Sequence, residues 1–169
     1  GVEIVATYIF WNHHEEEKGV FDWTGNKNLR KFAELCQKHC LRLFLRIGPW
    51  CHGECRNGGF PDWLCNMGIS LRTNSPAYLL HVERLFEQIA MQVSENLYRN
   101  GGCIIGIQLE NEYHGGPSGL EQGREHMRTL KKIALKKGLT VPYYTATGWG
   151  GAVVAEGETL PVLGAYADA

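Results

Sequence analysis

The chain has 169 residues, 44% of them hydrophobic and 21% charged, with a formal net charge of -1. So balanced a chain has no electrostatic basis for holding nucleic acid or an anionic membrane surface, and no apolar run approaches the roughly 18 to 20 residues of a membrane-crossing helix. Length and composition suit a single domain, and the start at Gly1, directly in an apolar run, reads as a piece of a longer protein.

Residues 2–10 are rich in β-branched and aromatic side chains and predict a buried strand. A polar loop from Trp11 to Gly25 follows, in which the run Glu15–Glu17 with Lys18 reads as solvated. Leu29, Phe32, Ala33, Cys36 and Cys40 then share one face of a helix. Residues 41–47 predict a second strand, ended by Gly48-Pro49, and a long loop rich in Gly, Trp and Cys runs on to about Asn74. Ser75-Pro76 marks a helix start, with Ser as N-cap and Pro at the first helical position. Leu79, Val82, Phe86, Ile89, Val93 and Leu97 form its apolar stripe, and Gly101-Gly102 breaks it. Residues 103–109 predict a third strand, residues 120–137 a helix stopped by Gly138, and residues 141–146 a fourth, weaker strand. Beyond these, only Pro161 to Leu163 hints at another strand.

Strands alternating with helices imply a parallel sheet with helices on its faces. Right-handed crossovers allow an open doubly wound sheet or a barrel. The first crossover lacks the Gly-rich phosphate loop of a dinucleotide-binding fold. A (β/α)₈ barrel takes about 250 residues, so four strands amount to about half of one. The expected fold is therefore α/β, a partial (β/α)₈ TIM barrel, with residues 1–169 forming part of one domain that is incomplete at both ends.

In such a barrel the active site lies where strands end, and each strand end here carries an unusual cluster. The first runs Thr7-Tyr8-Ile9-Phe10-Trp11-Asn12-His13-His14-Glu15; the second is Arg46-Ile47-Gly48-Pro49-Trp50, with His52 and Glu54 beyond it. The third is Gln108-Leu109-Glu110-Asn111-Glu112-Tyr113, and the fourth leads into Thr145-Ala146-Thr147-Gly148-Trp149. Carboxylates beside amides and aromatic rings suit a sugar site: acids protonate or attack, amides bind hydroxyls, and ring faces stack on C–H faces. Each cluster alone is compatible with ordinary loop polars and core aromatics; their convergence on one barrel face is the signal. Strand alternation allows Glu110 and Glu112 to point the same way, so spacing does not choose between them.

The chain resembles glycoside hydrolase family 35, the β-galactosidases, along nearly its whole length. Thr7 to Glu15 is similar to the family's T-Y-V-x-W-N-x-H-E-P stretch, and Arg46 to Trp50 to its R-x-G-P-Y. Gly58-Gly59-Phe60-Pro61-Asp62-Trp63-Leu64 matches G-G-[FL]-P-x-W-L, and Gln108 to Tyr113 matches Q-[IV]-E-N-E-Y. The resemblance implies double displacement with retention at a β-galactoside, without cofactor or metal, in a compartment outside the cytoplasm. It implies Glu112 as general acid/base after barrel strand 4, Asn111 on the sugar 2-hydroxyl, Glu110 as a structural neighbour, and Tyr8 and Glu54 as further sugar contacts. The acid/base residue must carry a proton as the leaving oxygen departs and then act as base toward water. The chain departs from the family where many members have Cys-Ala-Glu-Trp and it has His52-Gly53-Glu54-Cys55.

In the family the nucleophile is a Glu after strand 7. The chain is expected to span roughly strands 2 to 5, so Glu156 and Glu158 fall too early for that role, and the isolated chain is expected to need the remainder of its parent for turnover. Two alternatives stay open: a related glycosidase with another sugar preference, and a non-catalytic glycan-binding barrel. The six cysteines match no disulfide scaffold and are expected to be mostly free thiols. Cys51, His52, Cys55 and Cys65, or His13, His14 and Glu15–Glu17, are weak metal signals, since neither forms the H-E-x-x-H pattern. Gly58-Gly59 with Pro61 reads as a tight turn that sets Trp63 and Leu64 against the barrel.

Overall fold

Among the described residues, five strands lie side by side in chain order: β1 (Ile4–Tyr8), β2 (Arg42–Gly48), β3 (Ile104–Leu109), β4 (Tyr143–Ala146) and β5 (Leu160–Val162). Each pairs in parallel with the next. The computed structural model describes residues 1–52, 54–113, 120–146, 157 and 159–162. An order that never reverses has no switch point, so it departs from a doubly wound sheet and follows the sequential order of a barrel wall.

Helices α2 (Leu29–Lys38), α4 (Pro76–Val93) and α5 (Leu120–Lys136) lie in the crossovers that join β1 to β2, β2 to β3 and β3 to β4, and the short turns α1 (Trp11–His14) and α3 (Asp62–Cys65) sit in the loops. Alternation along β2 sorts its two faces: Leu43, Leu45 and Ile47 are buried, whereas Phe44 and Arg46 are only half-buried. The buried set joins Ala33, Val82, Phe86, Ile89, Met127 and Leu130 of the helices in one hydrophobic core. The opposite face carries a hollow of about 270 Å³ lined by Phe44, Pro142, Tyr143, Tyr144 and Leu160. Gly106 stands across from Phe44, whose ring occupies the space that a Cβ would need.

The helix starting at Pro76 begins where the sequence indicates, with proline in its first turn. Ser75 holds the N-cap position, but its side chain makes no capping bond; its N–H instead donates to Thr73 Oγ1 at 3.2 Å. The helix ends at Val93, earlier than the apolar stripe suggests, and two 3₁₀ turns carry the chain to Gly101. Leu97 is buried nonetheless, from outside the helix. Phe32 and Cys40, expected on the buried face of α2, are exposed: the helix stops at Lys38, and Cys40 takes a left-handed φ of 57°.

Two further expectations are corrected. The first strand is shorter than residues 2–10, and none of its residues is buried, because it forms an edge of the described sheet. The Glu15–Glu17 run is not uniformly solvated. Glu15 is buried, accepting from Trp11 Nε1 at 2.6 Å and Gly19 N at 2.7 Å. The hint near Pro161 becomes β5, while Leu163 lies outside the described residues. All six cysteines are free thiols.

Two histidines serve the fold as neutral groups. His14 stacks on Trp23, with centroids 4.1 Å apart, and its Nδ1 lies 3.1 Å from the Asp22 carbonyl oxygen. His126 Nδ1 lies 2.8 Å from Asn74 Oδ1. Burial drives both imidazoles down to about 4. An unfolded histidine protonates near 6.5, so the unfolded chain binds more protons between that pH and about 4. Stability therefore falls as pH drops through this window, by roughly 1.4 kcal/mol per unit and per histidine. Thermal unfolding is expected to show that slope, and His126→Gln to remove about half of it; a midpoint flat across the window would contradict the assignment. Gly102 has no room for a side chain against the Asn96 backbone, and Gly102→Ala is expected to cost roughly 1–3 kcal/mol in denaturant unfolding.

Candidate active site

The strand ends converge around one guanidinium. Arg46 lies on the half-buried face of β2. Its Nε donates to Gln108 Oε1 at 2.9 Å and its Nη2 to Asn111 Oδ1 at 2.8 Å. The same guanidinium lies 3.7 Å from the ring centroid of Tyr8, at the end of β1, a cation–π stack that holds the phenol in place. Gln108 Nε2 adds a second donor to Asn111 Oδ1 at 3.0 Å and reaches the Glu110 carbonyl oxygen at 2.7 Å. With its oxygen taken twice, the Asn111 amide has only its nitrogen left to offer a ligand.

Glu110 and Glu112 part company. Both take left-handed backbone angles, φ 55° and 46°, so the alternation of an extended strand no longer applies. Glu110 is fully buried, and Arg72 holds its Oε2 through Nε at 3.0 Å and Nη2 at 2.7 Å. Burial pushes the Glu110 carboxyl up, against the pull of Arg72. Arg72 also donates to the Asn111 carbonyl oxygen at 3.2 Å, and its guanidinium lies 4.9 Å from the ring centroids of both Trp50 and Tyr113. Tyr113 returns a hydrogen bond to the Arg72 carbonyl oxygen at 2.8 Å.

Glu112 is held differently. Its N–H donates to the Ala146 carbonyl oxygen at 3.0 Å, tying it to the end of β4. Its side chain is 31% exposed, and Oε2 stands 3.6 Å from His52 Nδ1. The Tyr8 hydroxyl is pushed up from its ordinary value mainly by burial; Arg46 opposes the shift, while Cys51, Glu54 and Glu112 add to it. Tyr8, Glu54 and Glu112 therefore share one electrostatic neighbourhood, and Asn111 adjoins it. Glu54 is exposed, on a left-handed φ of 49°.

The loop after β2 is shaped by Trp50. Its ring lies where a side chain on Gly58 would be, and Gly58 has φ +61°, so glycine is required there twice over. The turn sets Leu64 into the core and lets Trp63 Nε1 donate to the Glu15 carbonyl oxygen at 3.0 Å. Cys51 contacts the Ile9 carbonyl oxygen at 3.4 Å and Cys55 the Asn12 amide at 3.5 Å, so these two thiols face separate contacts. Thr147 to Trp149, Glu156 and Glu158 lie outside the described residues.

Residues 1–163 match the sequence model of glycosyl hydrolases family 35. The chain belongs to that family. It is similar to the mouse "Beta-galactosidase-1-like protein", 41% identical over 114 residues that make up 67% of this chain and 18% of the relative. It is also similar to the "Exo-beta-D-glucosaminidase" of Pyrococcus horikoshii, 36% identical over 134 residues, 66% of this chain and 17% of the relative. The chain thus spans less than a fifth of either relative. Among solved structures, GH5_18 from Streptomyces cattleya superposes with a TM-score of 0.69 at 14% identity, covering 88% of this chain and 36% of that one. That likeness concerns the fold, part of a (β/α)₈ barrel.

Arg46, Gln108 and Arg72 have no assigned role in the sequence reading. A charged residue inside the apolar strand of residues 41–47 was the available signal for Arg46; Arg72, in a polar loop, carried none. Removing Arg72 while Glu110 stays buried leaves a carboxylate without its counter-charge. Arg72→Leu is expected to destabilise the fold by roughly 3–5 kcal/mol. Combining it with Glu110→Leu should return part of that loss, as read by denaturant unfolding; additive losses would rule out the pairing.

Proposed function

We propose that the chain supplies the acid/base half of a retaining glycoside hydrolase active site of β-galactosidase type. The reading rests above all on one arrangement: an Asn111 amide locked by Arg46 and Gln108 beside a partly exposed Glu112 carboxyl group at the end of β3. Tyr8 and Glu54 adjoin the same space and are proposed to contact sugar hydroxyls.

In the first step a carboxylate outside residues 1–169, roughly 5 to 5.5 Å from Glu112, attacks the anomeric carbon. The bond to the leaving oxygen breaks, and Glu112 gives that oxygen its proton. In the second step Glu112 takes a proton from water, whose oxygen displaces the enzyme carboxylate and restores the original configuration. The Asn111 amide nitrogen donates to the 2-hydroxyl, a contact that strengthens as charge develops on the ring. Since the attacking carboxylate comes from elsewhere, residues 1–169 form an incomplete part of a single barrel domain, without turnover on their own.

A second sugar preference has specific support. A relative with 36% identity is called an exo-β-D-glucosaminidase, and the chain has His52-Gly53-Glu54-Cys55 where many members carry Cys-Ala-Glu-Trp. A panel of nitrophenyl glycosides on the full-length protein separates the two readings, with fastest turnover of the β-galactoside expected. Glu112→Gln should lower kcat by roughly 10²- to 10⁴-fold. Appreciable turnover by the purified 169-residue chain, abolished by Glu112→Gln, would overturn the divided site.

A further inference from the structure

We propose that His52 is a positioning residue for Glu112, holding its carboxyl group at the mouth of the site; the proposal rests on the acid/base reading of Glu112. Three observations carry it. His52 Nδ1 stands 3.6 Å from Glu112 Oε2, and among the described residues no other basic side chain forms an ion pair with that carboxyl group. Both residues have left-handed backbones, φ 64° at His52 and 46° at Glu112, a conformation uncommon for side chains of this size. The loop then fixes His52 from both sides: its N–H donates to the Gly58 carbonyl oxygen at 3.1 Å, and its own carbonyl oxygen accepts from Cys55 N at 3.1 Å.

The contact offers the fold little. The His52 and Glu112 side chains are 52% and 31% exposed, and exposed pairs of this kind contribute little to stability. A loop that holds a histidine in an uncommon backbone conformation beside a reacting carboxyl group acts on the chemistry. When Glu112 has passed its proton to the leaving oxygen, it becomes a carboxylate facing solvent. At 3.6 Å the pair is longer than a hydrogen bond; an Nδ1–H there draws in on Oε2 as charge develops, steadies that carboxylate and keeps its other oxygen directed at the sugar. His52 exchanges no proton with the substrate. The proton moves from Glu112 to the leaving oxygen as the glycosidic bond breaks, and returns from water in the second step.

The consequence is selective. Leaving groups that need protonation depend on how Glu112 is held, and those that depart as stable anions do not. The test compares phenyl and 2,4-dinitrophenyl glycosides of the preferred sugar in the full-length enzyme. His52→Ala is expected to lower kcat/KM for the phenyl glycoside about fivefold while leaving the dinitrophenyl glycoside within about twofold. His52→Asn, whose amide nitrogen stands close to the place of Nδ1, should recover most of the loss. An equal loss on both substrates marks a structural role, and no loss on either marks a bystander; both overturn the proposal, as does a failure of asparagine to rescue. Glu112→Gln, run alongside, keeps the two questions apart. If it spares the phenyl glycoside, the acid/base reading itself fails; if it abolishes that activity while His52→Ala changes nothing, only the role of His52 falls.

Discussion

One buried ion pair ties the long loop after β2 to the end of β3. Glu110 is fully enclosed, and Arg72 enters from the loop to meet it. A charge so deep is tolerated only when paired and hydrogen-bonded, and Arg72 is shaped for that task. Its planar fork takes one carboxylate oxygen through two nitrogens, its faces meet Trp50 and Tyr113, and its backbone oxygen receives the Tyr113 hydroxyl. In the same loop the Trp50 ring lies against Gly58, the following turn sets Leu64 in the core, and His52 stands 3.6 Å from Glu112.

A second guanidinium organises the opposite side of Asn111. Arg46 engages Gln108, Asn111 and the face of Tyr8 from a single position on β2. The two arginines therefore divide the work: one neutralises a buried acid, while the other occupies the oxygen of an amide and leaves its nitrogen free. Neither places a formal positive charge in hydrogen-bonding contact with Glu112. Among the described residues, the carboxyl group proposed to give and take a proton pairs with an exposed imidazole and with no guanidinium or ammonium group.

The strands and helices were legible because they depend on periodicity and punctuation. Pro76 opens α4, Gly138 closes α5, and the apolar runs became strands with shifts of a few residues at their ends. The Asn111-Glu112 pair and the Gly58–Leu64 signature were legible as patterns. What pattern could not convey is the burial of Glu15, which depends on Trp11 folding back over a short helical turn. The separation of Glu110 from Glu112 was equally hidden, since the rule of alternating faces presumes an extended backbone that these two residues do not have. Arg72 escaped because its meaning comes from a contact 38 positions along the chain.

The left-handed bends at Glu110 and Glu112 also bear on how such a motif can be moved or shortened. The reach of the Glu112 carboxyl group is set by main-chain geometry and by the bond from its amide to Ala146. Aspartate at this position would draw the carboxyl group back by one methylene, and rotation about its remaining side-chain bonds would not restore that reach. Grafted onto a regular strand, the same six residues from Gln108 to Tyr113 would send both acids to one face and crowd together two charges that the native backbone keeps in separate compartments, one dry and one wet.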